Sequence, residues 1–169
     1  MHQTSASGKT LEQPEDRDEL VDAVLGASRA LVAVAARSLA DLAEDVTLAQ
    51  YRALVELAAR GPQRVADLAS ALGVDRSTAT RMCDRLVRKQ LVQRRRINED
   101  RRGVRVSLTP AGRALVQEVT RRRRAEIAKI LRRMPSPDRA SALRALRVFA
   151  DAAGEVPEQD WSLGWGQDQ

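Results

Sequence analysis

The stretch over residues 65–108 restricts the fold more than any other part of the chain, because many of its positions answer one geometric demand together. A short apolar helix, VADLASAL, runs to Leu72 and stops at Gly73. A second helix, DRSTATRMCDRLVRKQ, is expected over residues 75–90, with Asp75 placed as its N-cap. Two helices that cross closely and reverse direction need a small residue at the crossing, a turn, and an apolar set holding the second helix on the first. Ala69 is the small residue, Gly73 admits the left-handed backbone of the turn, and Leu68, Leu72, Val74, Ala79 and Met82 form the apolar set. The spacing predicts a helix-turn-helix.

On a helix of 3.6 residues per turn, Ala79, Met82, Cys83 and Leu86 share the inner face, and Ser77, Thr80, Arg81, Asp84 and Arg88 lie opposite. The small hydroxyl residues Ser77, Thr78 and Thr80 let the helix N-terminus approach bases and phosphates, and its dipole favours the anion. Arg81 can meet a guanine edge through two parallel hydrogen bonds, whereas Arg76 and Arg85 are placed for backbone phosphates. The second helix is therefore expected to lie in the major groove of DNA.

Two strands, residues 91–97 and 104–108, follow at once. Val104, Val106 and Leu108 alternate with Arg105 and Ser107, which puts one face on a core. Arg94, Arg95 and Arg96 stand on the first strand, and Arg101 and Arg102 at the tip. Arginines on such a wing suit the narrow minor groove, where negative potential is focused. Asp100 then reads as a buttress for a neighbouring guanidinium. Charge agrees: residues 60–110 carry 13 Lys and Arg against 5 Asp and Glu, the footprint of a polyanion-binding head.

The other segments read as a frame for this head. Only 2% of the 169 residues are aromatic, so an aliphatic, helical core is expected. Residues 1–16 form a polar tail. Over residues 17–45, Leu20, Val24, Ala27, Leu31, Val34, Ala35, Leu39 and Leu42 recur at helical spacing. One helix of that length, roughly 40 Å, exceeds what a small head covers, so its stripe is expected to meet a second subunit. A long surface helix folded onto its own chain is the alternative.

Thr47 can cap a helix over residues 48–59, ended by Gly61 and Pro62. Thr109 and Pro110 suit the start of a helix running to about Met134. The four arginines Arg121 to Arg124 spread around it as solvated charge with one or two phosphate contacts. After Pro135, Ser136 and Pro137, a last helix over residues 138–153 carries Ala142, Leu143, Leu146, Phe149 and Ala150 on one face.

The expected architecture is mainly α with a small β-hairpin wing. A winged helix-turn-helix head, residues 47–110, stands on a helical dimerisation frame, residues 17–46 and 111–153. Residues 154–169 form a tail whose Trp161 and Trp165 dock on the body or on a partner; the sequence leaves both open.

Several chemistries are disfavoured. Cys83 is the sole cysteine, so no intrachain disulfide forms and a reducing cytoplasm fits; on the inner helix face it reads as a small core residue. His2 is the sole histidine and sits in the tail, which leaves neither a catalytic triad nor a histidine metal cluster. No enzyme, cofactor, metal site, signal peptide or membrane span is expected.

Over residues 47–115 the chain resembles the MarR family (multiple antibiotic resistance regulators), through VADLASALGVDRSTATRMCDRLVRKQLVQRRR, the wing piece NEDRR and the exit LTPAG. The resemblance implies a homodimer whose terminal helices make the interface and whose two recognition helices meet the halves of a pseudo-palindrome in double-stranded DNA. By position, Ser77, Thr78, Thr80 and Arg81 would read the major groove, and Arg102 would enter the minor groove with Asp100 holding it. Peroxide-sensing members are implied to use a cysteine in the first helix, which is missing here. A small aromatic or phenolic effector is implied between head and dimer helices, with Arg29, Arg37, Tyr51 and Arg52 as candidates. The expected function is a sequence-specific transcriptional repressor released by an effector; the rivals are a non-specific architectural DNA-binding protein and a winged-helix module for protein contacts.

Overall fold

A computed structural model describes residues 14–40, 42–43, 45–96 and 104–162. The chain divides between Ala33 and Val34 into two units. The first consists, among its described residues, of the N-terminal part of helix α1 (Pro14–Ala40). Leu20, Val21, Leu25, Leu31 and Val32 of that part are all exposed.

The second unit starts with the last turns of α1, whose Val34 and Leu39 are buried. The helix runs to Ala40, short of the end its apolar spacing predicts, and beyond it the Leu42 and Ala43 amides both donate to the Leu39 carbonyl, at 3.0 and 2.9 Å. That turn lets Leu42 and Ala43 pack against the core.

Helix α2 (Leu48–Arg60) begins with a full capping box: the Thr47 hydroxyl accepts from the Gln50 amide and the Gln50 side chain accepts from the Thr47 amide, both at 3.2 Å. Tyr51, Leu54, Leu57 and Ala58 fall on its buried side. A two-residue strand β1 (Gln63–Arg64), helix α3 (Val65–Leu72) and helix α4 (Arg76–Arg88) follow, then β2 (Val92–Arg96) and β3 (Val104–Leu108).

The wing is thus a three-stranded antiparallel sheet in the order β1-β3-β2, with Gln63 and Arg94 on either side of Val106. The pattern predicts only the hairpin. β1 is too short to show alternation and finds its partner about forty residues later.

Helix α5 (Pro110–Arg132) is capped by Thr109, whose hydroxyl accepts from the Gly112 amide at 3.0 Å. It packs on α2, and the core forms where they meet α3, α4 and the sheet: Leu54, Leu57, Leu68, Leu86, Val92, Val106, Val116 and Val119 are all fully buried. Helix α6 (Ser136–Ala152) starts two residues before the expected position, with Pro137 accommodated in its first turn, where an amide has no helical partner anyway. None of its residues is buried, and Leu143, Leu146 and Phe149 are each more than half exposed. No helix among the described residues is long and apolar enough to cross a membrane.

Candidate nucleic-acid interface

Helices α3 and α4 pack through Leu68 and Ala69 on one side and Ala79, Cys83 and Leu86 on the other, all buried. Gly73 adopts the left-handed conformation (φ 64°, ψ 31°). The amides of Gly73 and Val74 return to the Ser70 and Ala69 carbonyls at 3.2 and 3.1 Å, which satisfies two of the final carbonyls of α3. Met82 and Leu72 pack against the core from its margin. These are the positions the sequence selects, and they hold α4 with a polar face outward.

The start of α4 is a small hydrogen-bonded network. One carboxylate oxygen of Asp75 accepts from the Thr78 amide at 2.8 Å and the Ser77 hydroxyl at 2.6 Å; the other accepts from the Thr78 hydroxyl at 2.7 Å. The Ser77 hydroxyl, above all, with the Thr78 amide and hydroxyl, holds the Asp75 carboxyl far below the usual carboxylate range. Arg81 in turn donates to the Thr78 and Ser77 hydroxyls, at 3.2 and 3.4 Å.

Ser77, Thr78 and Arg81 are therefore brought together as expected. Both hydroxyl protons already serve the cap, which leaves these two groups only acceptor capacity. The Thr80 hydroxyl proton is likewise committed, to the Arg76 carbonyl at 2.8 Å. Arg76, Arg81, Arg85 and Arg88 are all exposed on this helix.

Asp84 and Arg94 form an ion pair at 2.7 Å that ties α4 to β2. Sequence spacing puts Asp84 on the outer face and makes Arg94 a DNA contact, without pairing them; opposite charges on consecutive elements were the available signal. Arg95 and Arg105 stand opposite each other in the β2–β3 register and are both exposed, which adds Arg105 to the cationic face of the wing. Asp100, Arg101 and Arg102 lie outside the described residues, as does the side chain of Arg96.

Cys83 is fully buried, and desolvation raises its thiol pKa, as befits a packed interior residue. Among the described residues no group of His, Cys, Asp and Glu is arranged to hold a metal ion.

Three of the effector candidates, Arg37, Tyr51 and Arg52, lie in the second unit and have different surroundings there. Tyr51 is buried, with its hydroxyl 3.5 Å from that of Thr120, and Arg52 is held by Glu155. Arg37 lines a groove with Ser38, Arg121, Arg122, Ala125 and Glu126. Arg29 belongs to the N-terminal unit. Glu118 accepts from Arg121 and Arg122, and Glu158 from Arg124, while the Arg121 and Arg124 side chains stay largely exposed, in keeping with a solvated run.

A helix pair with a buried inner face and an arginine-bearing outer face, followed at once by a basic three-stranded wing, defines a winged helix-turn-helix DNA-binding protein. The comparisons with known proteins agree. The MarR family profile matches residues 46–104. The HTH-type transcriptional repressor MdtR of Bacillus subtilis is 32% identical over 123 residues, 73% of this chain and 79% of that protein. The crystal structure of RV1404 from Mycobacterium tuberculosis superposes with a TM-score of 0.79 at 42% identity, covering 87% of this chain and 99% of that one. Bordetella bronchiseptica BpsR, whose DNA binding is regulated by 6-hydroxynicotinic acid, gives a TM-score of 0.60 at 26% identity over 79% of this chain and 99% of that one. The chain belongs to the MarR family, whose members are DNA-binding transcriptional regulators.

Proposed function

We propose that this protein is a homodimeric repressor that reads a pseudo-palindromic operator with two copies of α4 and is released by a small aromatic or phenolic effector. The observation that carries the reading is α4 itself. Its inner residues Ala79, Cys83 and Leu86 are fully buried, which leaves Arg81 and the Ser77 and Thr78 acceptors at an exposed, positively polarised helix start. In this reading Arg81, with Ser77, Thr78 and Thr80, contacts base edges, and Arg76 and Arg85 contact phosphates. Arg94 supports the wing, while Arg101 and Arg102 enter the minor groove with Asp100 as buttress.

Dimerisation is supported by the apolar stripe that α6 leaves exposed, Leu143, Leu146 and Phe149. Release by an effector is supported by the likeness to BpsR, whose DNA binding responds to a small aromatic acid, and repression by the likeness to the repressor MdtR. In this reading the groove lined by Arg37, Arg121, Arg122 and Glu126 takes the effector, with Arg37 beside its carboxylate.

Selection of bound sequences from random DNA tests the reading, because a dimeric reader enriches one inverted repeat with half-sites about one helical turn apart. Affinity for it should fall by about 10³ or more between 50 and 200 mM salt when several phosphates are engaged. Enrichment of no sequence would leave an architectural DNA-binding protein, and absence of binding a protein-contact module. Loss of the complex on adding one member of a panel of aromatic acids tests the effector.

A further inference from the structure

The chain beyond α6 turns back and ties itself to α2 and α5. The Gly154 carbonyl accepts from Arg60 at 2.9 Å, and the Glu155 carboxylate accepts both arms of Arg52 at 3.0 and 2.6 Å. Arg52 and Arg60 also flank Glu56, a carboxylate buried within α2, so each joins that charge to the returning segment. Glu158, in a single 3-10 turn, accepts from Arg124 Nε of α5 at 2.9 Å. The Trp161 indole donates to the Val156 carbonyl at 2.9 Å, which satisfies its polar edge while the ring packs against the core.

The last contacts reach the end of α2. A helix leaves its final carbonyls without intrahelical donors. Here Gly61 serves Leu57, and Ser162 supplies donors to two more, its hydroxyl to the Ala58 carbonyl at 2.8 Å and its amide to that of Ala59 at 3.3 Å. Terminal segments are poorly ordered unless tied down; this one is tied at five places, and its final bonds cap α2 where the chain departs for β1, α3 and α4.

We infer that residues 154–162 are a clamp that fixes the exit from α2, and that Trp161 and Ser162 are positioning residues for DNA reading. The inference rests on the two-copy operator reading above. A pseudo-palindrome is bound tightly only when both reading helices are held at one separation, so slack at the exit from α2 widens the range of half-site spacings a dimer accepts.

The test uses the full chain with Trp161→Ala and, separately, Ser162→Ala. Amide hydrogen exchange should become at least about tenfold faster over residues 58–64 while α4 keeps its protection. On the selected operator and on versions with one or two base pairs inserted between half-sites, the variants should lose about tenfold of the preference for native spacing, with the salt slope unchanged. Unchanged exchange over residues 58–64 would overturn the clamp, and so would lower overall affinity with the spacing preference intact. Should Trp161→Ala not fold, Ser162→Ala, which removes one hydroxyl, decides by the same two measurements. A wild-type protein without spacing preference would count against the dimeric reading, and the exchange data would still decide the clamp.

Discussion

Gly112 lies in the first turn of α5, where helix propensity alone favours alanine over glycine by about 1 kcal/mol. The surroundings say the opposite. A Cβ at this position would stand 2.1 Å from the Leu91 carbonyl oxygen, 3.0 Å from its carbon and 3.3 Å from Leu108 Cδ2. The first of these neighbours is backbone, and it already accepts the Thr109 amide at 3.1 Å, so it cannot swing away without breaking a bond that joins the residue before β2 to the N-cap of α5. Overpacking of this kind costs about 1–3 kcal/mol, and the strained or lost hydrogen bond adds about 1 kcal/mol. After the propensity gain, Gly112→Ala should be destabilised by about 1–3 kcal/mol, which for a chain of this size lowers Tm by roughly 2–12 °C. Urea unfolding followed by circular dichroism would show an earlier midpoint with the same slope. A variant as stable as the parent, or more so, would refute the close approach as the reason for glycine in the LTPAG exit.

Other outcomes follow from the same structure. Thr47→Ala removes one half of the capping box of α2 and should cost about 1 kcal/mol in urea unfolding, with Thr47→Ser close to the parent. Leu86→Ala empties a fully buried site between α4 and the sheet and should cost about 2–5 kcal/mol, read by the same titration. Arg121 foremost, then Arg122, pulls the Glu118 carboxyl down to about 2 from 4.5. Its contribution to stability is therefore complete above pH 4.5 and lost as pH falls from there toward 2. In a melting series across that range, Glu118→Gln should show a shallower acid loss than the parent. The Cys83 thiol should react with a disulfide reagent only as the protein unfolds, since it is buried and its pKa is raised; rapid labelling of the native protein would contradict this.

What could be read from the sequence was what local chemistry decides. Caps are local, so Thr47, Asp75 and Thr109 announce the starts of three helices and the structure places all three as caps. Gly73, Ala69 and the apolar set of the helix pair are close in sequence and in space, so the head was legible almost entire. Contacts between distant segments were not. Gln63 pairs with Val106 and Glu155 with Arg52, and nothing in the residues themselves says which strand, or which opposite charge, each will meet. The polar composition of residues 154–162 reads as a tail because its anchoring arginines lie on α2 and α5. The partners of the arginine run on α5 were not assigned either, though Glu118 stands at helical spacing from Arg121 and Arg122 and could have been paired with them.

The cap of α4 has an evolutionary corollary. Ser77 and Thr78 bind the Asp75 carboxylate and also accept from Arg81, so on the proposed reading any residue placed at position 77 or 78 is judged twice, once for the helix it starts and once for the base it meets. On the proposed reading, a regulator built this way cannot drift to a new operator through those two positions without first surviving a weaker helix. Its descendants should change binding preference mainly at the position of Arg81 and in the wing, where side chains can be exchanged without unfastening the element that carries them.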